Sequence, residues 1–356
     1  MTLPLPIGST IGIIGGGQLG RMLSVAASRL GFRCHVFEPG AQCPAGQVAD
    51  QVTTAPYDDA DALRAFGHAV DVITYEFENI PTDALDLLQD LAPIHPGREA
   101  LRISQDRLTE KMFLQELGLA TAPFADVTDA ASLETAIARI GTPSILKTRR
   151  FGYDGKGQVR ITDPAAAAQA FEDMQGAPAI LEGVVDFSHE VSVIAARSLD
   201  GAVAAFDPGE NLHEDGILRS TTVPARLSHA QQTDAVLLAA KIANGLTYVG
   251  VLGVELFVTP AGLIVNEIAP RVHNSGHWTQ NACAIDQFEQ HIRAIAGWPL
   301  GDGQRHIDVV MENLIGDDMD RVPVLARTPD CALHLYGKAT TKPGRKMGHA
   351  NFVKRP

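Results

Sequence analysis

The chain has 356 residues, 45% of them hydrophobic and 20% charged, and a formal net charge of −13. That length exceeds one compact core, so two or three domains are expected. The acidic balance argues against a nucleic-acid binder, whose affinity rests on basic surface. No run of about 18 apolar residues, the length a membrane span needs, is present. The N-terminal segment lacks a basic region ahead of its first apolar run and does not read as an export signal. Cys34, Cys43, Cys283 and Cys331 are scattered without metal-ligand spacing, as expected of reduced thiols in a cytoplasmic protein.

Residues 10–15 (TIGIIG) read as a strand, followed by a glycine turn and a helix to residue 30. Further strands are expected at 33–38 and 70–75, and their alternation with helices implies a parallel, doubly wound sheet. Pro93, Pro96 and Gly97 then interrupt the pattern. Ser104 is the expected N-cap of a helix over 105–117, which Gly118 stops. A small α+β unit follows from 120 to 182, with an alanine-rich helix at 165–175. Strands at 190–197 and 202–206 precede a helix near 230–245. Ile285, Phe288, Ile292 and Ile295 recur at helical spacing and mark a buried face.

Between those last two helices lie two apolar strands, 253–258 and 263–268, joined by Thr259-Pro260-Ala261-Gly262. A loop centred on Ala261 puts Glu255 opposite Glu267. Gly253, Glu255 and Phe257 would then share a face with Leu263, Val265 and Glu267. Facing carboxylates destabilise a sheet unless a cation lies between them, and Mg²⁺ is the usual oxygen-liganded choice. A slip of one residue would instead pair Glu255 with Asn266 and leave Glu267 solvated. Arg271, His273, Asn274, Ser275, His277 and Trp278 follow within one turn-rich stretch.

Three other segments point to phosphate. Gly15-x-Gly17-x-x-Gly20, with Glu38 closing the second strand, is a complete dinucleotide-binding pattern. A dehydrogenase is therefore one reading, although such a turn accepts any phosphate at its helix N-terminus. Lys147 sits on an apolar strand, and three glycines follow within Gly152–Gln158, a loop able to wrap oxyanions. The same features also fit an edge-strand lysine and a plain hairpin. From Cys331 onward there are six Lys or Arg and no Asp or Glu, either a solvated basic tail or an anion pocket at Arg345 and Lys346.

Together these segments resemble the ATP-grasp superfamily, and within it the purine-biosynthetic ligases that carboxylate an aminoimidazole ribonucleotide. The resemblance is carried by GGGQLGRML at 15–23, YEFENIP at 75–81, QDRLTEK at 105–111 and GYDGKGQ at 152–158. NLHEDGILR at 211–219, NEIAPRVHNSGHWTQN at 266–281 and PGRKMGH at 343–349 complete it. The formate-dependent glycinamide ribonucleotide transformylase, nearest by pattern, would carry an acidic residue in place of Asn274 and lacks Tyr153-Asp154. A nucleotide sensor without chemistry is the remaining alternative, opposed by the retained metal carboxylates, lid glycines and Lys147.

The resemblance implies a mixed α/β and α+β architecture, the ATP-grasp fold. It divides into an N-terminal doubly wound domain over 1–104, an ATP-grasp region over 105–298 with a mobile lid at about 121–185, and a C-terminal segment over 299–356. It implies ATP phosphates on Arg107 and Lys147 beneath a lid loop of Gly152, Tyr153, Asp154, Gly155, Lys156, Gly157 and Gln158. Adenine would meet Glu182, Gly183, Val184 and Val185, the ribose Glu190, and His213 would add a nucleotide contact. Mg²⁺ would sit on Glu255 and Glu267 beside Asn266. Bicarbonate and 5-aminoimidazole ribonucleotide would meet Gln18, Glu76, Tyr153, Asp154, Lys156, Arg271, His273, Asn274, Arg345 and Lys346. His273, Tyr153 and Asp154 are the candidates for the base. The substrate phosphate would go to the Gly15–Gly20 turn or to Arg345 and Lys346. Relatives imply a homodimer. Two departures stand out: many ATP-grasp enzymes carry lysine where this chain has Arg107, and relatives continue through another helix and strand after the position of Lys354.

Overall fold

The computed structural model describes residues 4–152 and 157–354. Tyr153, Asp154, Gly155 and Lys156 of the expected lid loop lie outside the described residues. Three sheets follow one another along the chain. The first holds β1 (Thr10–Ile14), β2 (Arg33–Phe37), β3 (Gln51–Thr53) and β4 (Val72–Tyr75) in the order β3-β2-β1-β4. All its pairings are parallel. Helices cover it, so strand residues such as Ile11, Ile13 and Val36 are fully buried, as parallel sheets require.

The second sheet is antiparallel, with β5 (Phe124–Val127), β6 (Ser144–Thr148), β7 (Gln158–Ile161) and β8 (Ala179–Gly183) in the order β5-β8-β6-β7. Helices Ala130–Ile140 and Ala167–Asp173 back it through Leu133, Ile137, Leu146 and Leu181.

The third sheet is built from β9 (His189–Arg197), β10 (Val203–Ala205), β11 (Gly209–Glu214), β12 (Ile217–Val223), β13 (Gly250–Thr259) and β14 (Gly262–Ala269). It continues through β15 (Asp308–Ile315), β16 (Cys331–Leu335) and β17 (Lys346–Lys354). Its path is β14-β13-β9-β11-β12-β15-β17-β16, with β10 added on β9. β14 is thus an edge strand, and the last three strands extend the same sheet that carries the two glutamates. Helix His229–Gly245 packs against it, opened by a capping box in which Ser228 accepts from the Gln231 amide.

One cap differs from the sequence expectation. Ser104 ends a separate helix, Arg98–Ser104, and its hydroxyl donates back to the Ala100 carbonyl at 2.9 Å. Asp106 is the N-cap of helix Arg107–Glu116, accepting from the Leu108 and Thr109 amides. Its carboxylate also receives Arg149 Nη2 at 2.7 Å, so the cap ties this helix to the segment leading out of β6. No helix among the described residues is long and apolar enough to cross a membrane. All four cysteines are free thiols, Cys34 and Cys43 buried.

Candidate active site

A cavity of about 590 Å³ opens where the three sheets converge, within the usual range for ligand sites. Its floor is the β13–β14 hairpin, and the carboxylates sit there through an irregular register. Thr259 pairs with Gly262, Val258 with Leu263, Phe257 with Ile264 and Leu256 with Val265. That is the slipped register, which on its own would place Asn266 opposite Glu255. A β-bulge intervenes, and beyond it Glu255 pairs with Glu267 and Val254 with Ile268. Asn266 is the extra residue. The expected Glu255–Glu267 pairing therefore holds. The expected shared face holds for Glu255 and Glu267 but not for Phe257, Leu263 and Val265, because the loop is tighter than one centred on Ala261 and Phe257 lies opposite Ile264 instead.

Both carboxylates line the cavity. Burial first, then the facing Glu267, pushes Glu255 up to about 7. Burial also works against the Glu267 anion, but Arg107 Nη1 at 3.0 Å outweighs it and holds that carboxyl low. Lys147 Nζ donates to Glu182 Oε2 at 2.8 Å. Glu190 Oε2 lies 2.6 Å from His213 Nδ1. Gly152 and Gln158, flanking the expected loop, line the same cavity. The nucleotide-side residues are thus already drawn into acid–base pairs along one wall.

The opposite wall is built around Arg271. Its guanidinium donates through Nε and Nη2 to both oxygens of Glu78, the Nη2 contact at 3.1 Å. Glu78 was not singled out from the sequence, although it stands two positions after Glu76 in the same motif. His273 lies with Nε2 at 3.4 Å from Glu255 and Nδ1 at 2.8 Å from the Ser275 hydroxyl. Burial, helped by the charges of Arg271 and Lys346, drops its pKa to about 3. The imidazole is therefore neutral at pH 7, the form that accepts a proton, and its burial makes it a weak base. Asn274 reaches the cavity, but its amide is committed to a reciprocal pair with Asn313, at 2.9 and 2.7 Å.

The glycine turn departs most from its expected role. Gly17 and Gly20 donate their amides to the Glu76 carboxylate, the latter at 2.8 Å. Gly16 donates to Glu38 Oε2 at 2.7 Å. A Cβ on Gly17 would lie 2.5 Å from Glu76 Oε1, so glycine is what permits this approach. Two carboxylates fill the helix N-terminus, where a bound pyrophosphate would meet like charge. The dehydrogenase reading loses its phosphate site, and Glu38 is spent on the turn rather than free for a ribose.

Gln18 and Lys346 line the cavity as expected. Arg345 does not. It donates to the Thr340 carbonyl at 2.9 Å within its own turn. Lys338, unremarked in the sequence, donates to the Lys346 carbonyl at 2.6 Å and so joins this basic segment. Gly183, Val184 and Val185 lie outside the cavity lining, and the Gly183 amide donates to Pro123 O at 2.8 Å. Glu182 reaches the cavity only through Lys147. Gly157 has φ of 69° and its carbonyl accepts from Thr148 at 2.8 Å, closing the base of the loop.

The donor set fits a hard divalent cation. It offers carboxylate oxygens, and a cation between them would relieve the Glu267 repulsion that, after burial, raises the Glu255 pKa. Among the described residues no cluster of three or more His, Cys, Asp or Glu forms a metal site. Remaining ligands would be phosphate oxygens and water, the usual Mg²⁺ arrangement with nucleotides.

Comparison with known proteins agrees along the whole chain. Residues 8–105 match the ribonucleotide synthetase preATP-grasp domain, 112–288 the ATP-grasp domain and 309–355 the phosphoribosylaminoimidazole carboxylase C-terminal domain. The N5-carboxyaminoimidazole ribonucleotide synthase of Brucella melitensis is 56% identical over 350 residues, covering 98% of this chain and 97% of that protein. The Bacillus subtilis enzyme of the same name is 46% identical, covering 98% and 92%. The Staphylococcus aureus N5-carboxyaminoimidazole synthetase structure complexed with ADP superposes with a TM-score of 0.95 at 39% identity, covering 100% of this chain and 95% of that one. The Aspergillus clavatus synthase, solved with ADP and 5-aminoimidazole ribonucleotide, gives 0.92 at 31% identity, covering 98% and 94%. With its three matched segments and these relatives, the chain belongs to the N5-carboxyaminoimidazole ribonucleotide synthase family of ATP-grasp ligases.

Proposed function

We propose that the chain catalyses ATP + HCO₃⁻ + 5-aminoimidazole ribonucleotide → ADP + phosphate + N5-carboxyaminoimidazole ribonucleotide. The observation that carries this reading is the pairing of Glu255 with Glu267 inside one cavity, with Arg107 and Lys147 on one side and Arg271 and His273 on the other. ADP release measured with and without the ribonucleotide tests it. Release that depends on the amine supports the ligase, and release indifferent to it contradicts it.

Bicarbonate is a poor electrophile, so its oxygen first takes the γ-phosphoryl group, forming carboxyphosphate as the β–γ bridge breaks. That step needs positioning and cancellation of charge on the transferring group. Mg²⁺ bound by Glu255 and Glu267 beside Asn266 would supply charge cancellation at the triphosphate. Arg107 and Lys147 hold its oxygens, and Arg107, permanently charged, acts by electrostatics alone. Glu182 with Gly183, Val184 and Val185 receives the adenine, and Glu190 and His213 receive the ribose. Gly152, Gly157 and Gln158, with Tyr153, Asp154, Gly155 and Lys156 between them, close over the phosphates.

The exocyclic amine then attacks the carboxyl carbon, or the CO₂ released from it. The bond to phosphate breaks and the amine loses one proton. Arg271, locked by Glu78, orients the bicarbonate carboxylate. Neutral His273 accepts a proton or a hydrogen bond, and it stands with Tyr153 and Asp154 as a candidate for the base. Gln18 and Glu76 face the ribonucleotide. Its phosphate goes to the basic segment at Lys346, which lines the cavity while Arg345 and Lys338 brace that segment, because the glycine turn is already filled by Glu38 and Glu76. A cytoplasmic homodimer is the expected setting, and light scattering of the purified chain tests the dimer.

A further inference from the structure

Helix Arg107–Glu116 touches three consecutive residues of β14, and this is where the bulge lies. Arg107 reaches the Glu267 carboxylate at 3.0 Å. Lys111 Nζ donates to the Asn266 carbonyl at 2.7 Å. The Ile268 amide donates to Glu110 Oε1. Glu110 and Lys111 are 3% and 1% exposed. Burying a carboxyl and an ammonium is costly unless both are well partnered, so their partners here are informative.

β14 is the edge strand, with β13 on its inner side only. In a regular antiparallel strand the outward N–H groups fall on alternate residues. The Val265 amide points outward, to Ala120 O at 2.9 Å, so Glu267 would be the next outward donor in an unbroken strand. The extra residue, Asn266, shifts that phase and turns the Ile268 amide outward instead. Glu110 receives that displaced amide and Lys111 the carbonyl of the bulged residue itself. Both contacts recognise the bulged backbone and not the regular one. In the regular strand Asn266 would face Glu255, and Glu267 would turn to the opposite face of the sheet.

We infer that Glu110 and Lys111 are positioning residues that hold β14 in its bulged register and so keep Glu267 opposite Glu255. The inference rests on the metal-binding reading of those two glutamates for its functional consequence, but its structural half stands apart from it. In Lys111→Met, amide exchange of the segment spanning residues 263–269 should accelerate at least tenfold, with the parallel sheet unchanged. Mn²⁺ binding followed by electron paramagnetic resonance in the presence of ADP should weaken at least tenfold, because Glu267 leaves its partner. Glu110→Gln keeps an acceptor for the Ile268 amide and should exchange like the parent, whereas Glu110→Leu should exchange like Lys111→Met. Should Lys111→Met fail to fold, the two Glu110 variants decide the matter by the same exchange. Parental exchange at 263–269 in Lys111→Met, or in Glu110→Leu where that variant decides, overturns the inference. Parental Mn²⁺ affinity alongside accelerated exchange overturns its link to the metal. If the parent itself binds no Mn²⁺, the metal reading fails while the exchange comparison still judges the bulge.

Discussion

Replacing Glu255 with glutamine should act in opposite directions on stability and on turnover. The carboxyl is held at about 7 against an ordinary 4.5, by burial and by Glu267 across the strand pair. Each tenfold change in acidity is worth about 1.4 kcal/mol, so ionising Glu255 costs the fold roughly 3 kcal/mol. The sign follows from proton counting. Between the unfolded and folded values the native state binds more protons, so stability falls as pH rises from about 4.5 through 7 and the loss is complete above that. Glutamine removes the dependence. Its advantage in divalent-free buffer should grow from under about 1 kcal/mol at pH 5 to about 3 kcal/mol at pH 8, a rise of several degrees in melting temperature. The same variant should lose at least about 100-fold in Mg²⁺-dependent ADP formation, the scale expected when a group stabilising transferred charge is removed. Thermal melts at the two pH values with chelator, beside the rate assay, read both effects. A variant that melts below the parent at pH 8, or whose advantage is equal at both pH values, would refute the upward shift that burial and then Glu267 impose on Glu255.

Glu267→Gln removes the other carboxylate and strands the Arg107 guanidinium that it pairs with at 3.0 Å; turnover should fall at least about 100-fold and a Mg²⁺ titration should not restore it. Glu78→Gln loosens Arg271. Loss of a charged hydrogen bond of about 1.5–3 kcal/mol should raise the KM for bicarbonate roughly ten- to hundredfold, with the KM for ATP near the parental value in steady-state kinetics. At the cap, Asp106→Ala should lower stability by about 1 kcal/mol more than Asp106→Asn, because asparagine still accepts from the helix amides while both lose the Arg149 ion pair. Chemical denaturation of the two variants checks this.

The paired glutamates were legible because local turn chemistry and strand alternation constrain a short hairpin. How they come to face each other was not. The turn enforces the slipped register, and the correction comes from Lys111 and Glu110, far away in sequence. The glycine turn shows the converse. Its spacing reports only that backbone amides are exposed at a helix start, and what fills them, Glu76 and Glu38, is a tertiary matter. Ser104 and Asp106 are both good N-caps by type, and the choice between them depended on recognising the short helix Arg98–Ser104 after Gly97. The burial that drives the His273 pKa down to about 3 is likewise a tertiary matter that composition does not reveal. The cavity gathers Arg107, Lys147, Glu190, His213 and Arg271 from distant segments, and the motifs named them individually without their mutual pairing.

The route of one oxygen atom tests the carboxyphosphate chemistry most directly. With ¹⁸O-bicarbonate, Mg²⁺-ATP and 5-aminoimidazole ribonucleotide, mass spectrometry of the released phosphate should find one ¹⁸O per turnover, carried over from the bicarbonate oxygen that took the γ-phosphoryl group. Phosphate that takes its new oxygen from solvent water alone would mean that bicarbonate is never phosphorylated, and the proposed reaction would have to be abandoned.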